Sequence, residues 1–139
     1  MSAEMRVLFL LNEFGCDPSR LTALLGINPT RTWLEGQVNP RTNILYRTNG
    51  WMLESPLTEP RQLAPHVDWL LARLPGNLEG LRQVTAQFSA KVYCSIYMSD
   101  DRPVLYLDAN ALGRLGQLTA SLDIDLYVLP GEEASGRAF

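Results

Sequence analysis

The sequence predicts an α+β fold, a mostly antiparallel sheet with helices packed on one face. Three observations lead there. Residues 91–98 (KVYCSIYM) alternate apolar and polar side chains, the signature of a half-buried strand. Leucines recur at helical spacing in three other segments. The elements fall in the order β-α-β-β-β-α-α-β-β-α-β, which suits helices gathered on one side of a sheet. The chain has 139 residues, 46% hydrophobic and 19% charged, which fits one globular domain over residues 1–130 and a loose tail over 131–139.

Residues 6–14 form an apolar run of strand length, suited to a central strand buried on both faces. Asp17 then offers an N-cap oxygen and Pro18 is preset for the first helical position. Leu21, Leu24 and Leu25 carry the apolar stripe, and Gly26 closes a helix over 17–25 in the left-handed conformation. Pro29 bars Asn28 from helical geometry, and Thr30 and Thr32 alternate with Arg31 and Trp33 as in a short strand. A loop over 35–42 leads to a strand over 44–48. Asn49-Gly50 then reads as a two-residue type I′ hairpin turn into residues 51–55. That register pairs Thr48 with Trp51 and Tyr46 with Leu53, and sets Ile44, Tyr46, Trp51 and Leu53 towards the core.

Residues 58–60 are a helix entrance. Pro65 belongs in a first turn, so the regular helix begins near Leu63 and runs to about Leu74, with Leu63, Val67, Leu70, Leu71 and Leu74 on one face. Pro75-Gly76 breaks it, and Asn77 caps a second helix carrying Leu78, Leu81, Val84 and Phe88. In the strand over 91–98, Val92, Cys94, Ile96 and Met98 oppose Tyr93, Ser95 and Tyr97. Residues 99–103 turn, and 104–107 form a short buried strand. Asp108 or Asn110 caps a last helix through about Ser121, with Leu112, Leu115, Leu118 and Leu122 inward. Gly113 and Gly116 each weaken it by about 1 kcal/mol against alanine, a cost that close approach to the sheet would offset. Residues 123–129 are the final strand. Gly-Ile-Asn (26–28) and Asp-Ile-Asp (123–125) each follow a strand and a capped helix, an echo that suits a duplicated ferredoxin-like arrangement.

Several functions are disfavoured by what the chain lacks. A net charge of −3 gives no general attraction to phosphate backbones, which argues against nucleic-acid binding. No stretch reaches the ~20 apolar residues of a membrane span, and the apolar run over 7–11 is too short for a signal peptide. A cytoplasmic protein with Cys16 and Cys94 as reduced thiols is the expectation. Cys94 falls on the apolar side of its strand. Cys16 precedes a helix N-terminus, which favours a thiolate, yet it reads as a turn thiol. His66, the single histidine, reads as a solvated surface residue near Asp68. Asp100 and Asp101 sit in an exposed turn, and Asp108 serves as a cap. Neither phosphate-binding glycine motif occurs. No catalytic residue, metal site or cofactor is therefore assigned.

The strings LGINPTRTWLEG (25–36), NGWMLES (49–55) and SLDIDLY (121–127), with a helical pair between the second and third, resemble the bacterial family of domain of unknown function 4279. The resemblance spans roughly residues 6–129. It implies a single soluble bacterial domain. The family is named for lacking an assigned activity, so no site residue is carried over from it.

Residues 24–55 hold two of the three tryptophans and three of the eleven arginines. Arg31, Trp33, Arg47, Trp51 and Glu54 are the candidate site. Arginine and tryptophan beside a loop bind anionic or planar ligands by charge-assisted hydrogen bonds and stacking, and they also dominate protein interfaces. The same residues are accounted for structurally if Trp33 and Trp51 are core aromatics and Arg47 pairs diagonally with Glu54. The leading expectation is a non-enzymatic protein-binding module, extending to an antitoxin- or immunity-like inhibitor whose acidic balance complements a basic partner. The alternative is a small-molecule sensor or enzyme with an Arg/Trp-lined pocket for an anionic ligand. A homodimer through a sheet edge or the Tyr93/Tyr97 face is compatible with either.

Overall fold

The computed structural model of the protein describes residues 4–58, 62–98, 100 and 102–128. Five strands, β1 (Glu4–Asn12), β2 (Arg31–Trp33), β3 (Gly50–Glu54), β4 (Ser89–Met98) and β5 (Ser121–Val128), form one mixed sheet in the order β2-β3-β1-β4-β5. The first three pairings across it are antiparallel, and β5 runs parallel to β4. The helices α1 (Pro18–Leu25), α2 (Leu63–Arg73) and α3 (Ala109–Gln117) bury their apolar stripes on one face. Val7, Phe9 and Leu11 of β1, Trp51 and Leu53 of β3, and Val92, Cys94 and Ile96 of β4 meet Leu21, Leu70 and Leu115 there. The α+β fold with helices on one face is the predicted one.

Duplication is not what the topology shows. The run β1-α1-β2-β3-α2-β4, with strand order β2-β3-β1-β4, is a single ferredoxin-like split β-α-β unit. An extra helix and strand, α3 and β5, extend it past β4. The first helix forms as its sequence dictates. The Asp17 carboxylate accepts from Ser19 N–H at 2.9 Å, Pro18 opens the helix, and Gly26 closes it at φ 67°.

Other elements depart from expectation for local reasons. Residues 44–48 form no strand, and Asn49-Gly50 is no hairpin turn; neither residue has positive φ. β3 pairs with β2 and β1 instead. Residues 34–48 make an irregular excursion, closed by Asn39 N–H to Ile44 O at 2.8 Å and Tyr46 N–H to Gln37 O at 2.8 Å, with Asn43 at φ 62° near its tip. Ile44 is consequently exposed, not core. The expected second helix of the pair shrinks to a 3-10 turn over Glu79–Gln83. Residues 104–107 join no strand of the sheet; Val104 is exposed and its carbonyl accepts from Leu63 N–H, tying down the start of α2. α3 stops at Gln117 because Thr119 turns to φ 54°. Its buried stripe is Ala111, Leu115 and Leu118, one position off Leu112, which is exposed, and Leu122 belongs to β5. Nothing lies within 4 Å of a Cβ at Gly113 or Gly116, so close packing does not offset their helix cost.

His66 also departs from expectation. It lies three residues after Leu63, on the inward stripe of α2, and is 1% exposed rather than solvated. The expected tail over 131–139, Leu129 and the turn residues 99 and 101 lie outside the described residues, as do 59 and 60 of the helix entrance. No helix among the described residues is long and apolar enough to cross a membrane.

Candidate functional site

Strand alternation sends every second side chain of the sheet away from the helices. On that face β1 presents Glu4, Arg6, Leu8 and Leu10, β2 presents Arg31 and Trp33, and β3 presents Met52 and Glu54. β4 adds Tyr93, Ser95 and Tyr97, and β5 adds Tyr127. The tip of the 34–48 excursion brings Asn39, Arg41 and Thr42 over the β2 side. Together these residues line an open trough of about 1200 Å³.

The middle of the trough is a closed electrostatic pair. Arg6 Nε donates to Glu54 Oε2 at 2.8 Å and its Nη2 donates to Oε1 at 2.9 Å, a two-point fork. This bond to Glu54 holds the Arg6 guanidinium above its ordinary pKa despite the opposing effect of burial. On the β2 side Trp33 stacks on Tyr46, with centroids 4.7 Å apart and planes 17° apart. The indole also lies over Gly50, where a side chain would collide with it. The Arg31 guanidinium sits 5.0 Å from the Trp33 ring centroid, and Arg31 Nε is buried with no hydrogen-bond partner among the described residues. On the β5 side Tyr97 stacks on Tyr127 at 4.7 Å. The Tyr93 hydroxyl donates to Asp125 Oδ2 at 2.5 Å, which together with burial pushes its pKa well above the usual tyrosine value.

Three of the five expected residues, Arg31, Trp33 and Glu54, meet in this trough. Trp51 does not. It faces the helices, is 0% exposed, packs edge-on against Phe9, and donates its Nε1–H to Thr22 Oγ1 at 3.0 Å. Arg47 stands exposed in the excursion, outside the trough lining, and the partner of Glu54 is Arg6. Arg6, hidden in an apolar run, and Tyr127 join the trough unexpectedly, whereas Arg41 comes from the loop over 35–43 beside Arg31 and Trp33 in the expected region. Tyr93 and Tyr97, the polar side of an alternating strand and the expected dimer face, also line the trough.

A family model, "Domain of unknown function (DUF4279)", matches residues 3–129. The chain belongs to that family. A search of curated proteins and a search of solved structures each returned no match.

In this DUF4279 chain Ser55, His66 and Cys94 lie buried outside the trough, and Cys16 is half-buried. Ser55 Oγ and His66 Nδ1 lie 2.9 Å apart, a hydroxyl–imidazole contact, but the residues are 6% and 1% exposed. Both cysteines are free thiols. Burial pushes Cys94 up to about 11. It also raises the Cys16 pKa, outweighing the lowering by a backbone hydrogen bond and by the Arg20 charge. No group of three or more His, Cys, Asp or Glu among the described residues is placed to hold a metal ion.

Proposed function

We propose that this DUF4279 protein is a non-enzymatic binding module that docks a partner protein on the open face of its sheet, with Arg31, Trp33 and Glu54 at the contact. The trough itself carries the reading, being wide, open and lined by arginine and aromatic side chains. Its volume of about 1200 Å³ exceeds the roughly 300–1000 Å³ of ordinary small-molecule clefts. Trp, Tyr and Arg are the residue types that concentrate binding energy at protein interfaces. The side chains are held in advance by stacking and by the Arg6–Glu54 fork, so little ordering is left for binding to cost. An inhibitor of the antitoxin or immunity kind is one form such a module takes, since it needs docking without chemistry.

A photo-crosslinking benzoylphenylalanine in place of Tyr127, which is 43% exposed in the trough, tests this in the cells that make the protein. The control carries the same group at Leu112, exposed on α3. Protein adducts from position 127 and none from 112 are expected. Adducts from neither position, or from both alike, refute the proposal. The alternative, a pocket for a small anionic ligand, draws on the unpartnered Arg31 Nε. A trough that binds small carboxylates and yields no protein adduct would favour it.

A further inference from the structure

The charges of the open face are unevenly spent. At its centre Glu54 is consumed by Arg6, with Glu4 acting on the same guanidinium through its charge, and at the β5 edge Asp123 and Asp125 are taken by Lys91 and Tyr93. On the β2 side Arg31 and Arg41 both line the trough, and neither has an ion-pair partner among the described residues. The Arg31 Nε–H is moreover buried without an acceptor, a condition that native structures rarely leave uncompensated. The indole of Trp33 beside it is held by stacking on Tyr46 and by its close approach to Gly50, so the guanidinium is offered from a rigid support.

From this geometry we infer that Arg31 and Arg41 receive the carboxylates of an extended acidic segment of the partner, while Tyr97 and Tyr127 hold its further end. The inference rests on the reading that a partner docks in the trough. A guanidinium is planar and presents paired N–H donors that match a carboxylate. Nucleic acid is the poorer match: Arg31 and Arg41, the two trough arginines without ion-pair partners among the described residues, on a chain of net charge −3 neutralise too few phosphates. A lone small carboxylate fills too little of the space. Five strands at about 4.8 Å spacing span roughly 19 Å, the length of about six extended residues.

The test uses the full chain labelled with ¹⁵N and follows the Nε–H signals of Arg31 and Arg41. Three probes are titrated: tetraglutamate capped at both ends, capped tetralysine, and sodium glutamate. Tetraglutamate is expected to shift both signals saturably, with sodium glutamate at least about tenfold weaker and tetralysine inert. Arg41 is exposed on a loop, so Arg41→Ala is expected to keep the fold; it should weaken tetraglutamate about tenfold. Arg31→Lys keeps the charge but removes the planar fork, and should weaken it similarly. Equal response to tetralysine, equal potency of sodium glutamate, no shift with tetraglutamate, or unchanged affinity in Arg41→Ala would each overturn the inference. Crosslinks from position 127 without any tetraglutamate shift would leave partner docking standing and overturn the carboxylate assignment alone.

Discussion

Gly50 opens β3 beneath the indole of Trp33, and a Cβ there would fall well inside van der Waals contact with Cε2, Cζ2 and Nε1 of that ring. Trp33 cannot yield cheaply, because its ring is also stacked on Tyr46 at 4.7 Å. Gly50→Ala therefore overpacks the site, which costs about 1–3 kcal/mol. Against this, alanine restricts the unfolded chain and returns about 0.5–1 kcal/mol. The net expectation is a loss of about 1–2 kcal/mol in urea unfolding followed by far-UV circular dichroism. Removing the indole removes the clash, so in a Trp33→Ala background Gly50→Ala should be neutral or mildly stabilising. The coupling between the two sites is then about 2 kcal/mol, within the range for contacting residues. The reasoning fails if Gly50→Ala costs less than about 0.5 kcal/mol in the wild type, the usual scatter of inconsequential substitutions. It fails equally if the cost is the same with and without the indole.

Glu54→Gln keeps the shape of the trough but discharges one side of the fork to Arg6. The two side chains are 22% and 31% exposed, so solvent weakens the pair and about 1 kcal/mol of stability should be lost in the same unfolding assay. Trp51→Ala empties a fully buried site and should cost about 3–5 kcal/mol, whereas Arg47→Ala should stay within about 0.5 kcal/mol; the reverse order would contradict the placement of both residues. Burial raises the Cys94 thiol from 9.0 to about 11, so the folded chain holds this proton more tightly than the unfolded one. Its contribution is full below pH 9 and is lost as the pH rises towards 11. The stability advantage of wild type over Cys94→Ala should narrow across that window, and a constant difference would refute the linkage.

Legibility followed how local each signal was. The N-cap, first-turn proline and closing glycine of α1 act within ten residues of one another, and the helix formed as read. Asn49-Gly50 failed because its partners are remote. The Asn49 side chain accepts from Glu35 N–H and donates to Cys16 O, and Gly50 makes room for Trp33, none of which a dipeptide motif encodes. Trp51 was separable from Glu54 in advance, since residues three apart on a strand face opposite sides. Arg31, Trp33 and Glu54 came together because each lies at an outward position of its own strand. Arg6, Tyr93, Tyr97 and Tyr127 joined them through strand order, and order is set by crossovers that a residue pattern does not record.

The sheet divides the chemistry of the chain as well as its architecture. On the helix side, Ser55 and His66 have the spacing of a nucleophile and its base, but both are buried and Leu57 N–H already donates to Ser55 Oγ at 3.3 Å. A substrate would have to open the core to reach that hydroxyl, so the bond serves to satisfy two polar groups out of reach of water. The open face exposes groups of another kind. Its Glu54 is tied to Arg6, a tyrosine proton is held by Asp125, and two arginines remain without acidic partners among the described residues. Held guanidinium groups and stacked rings recognise a surface by charge and shape, and none of them needs to exchange a proton to do so.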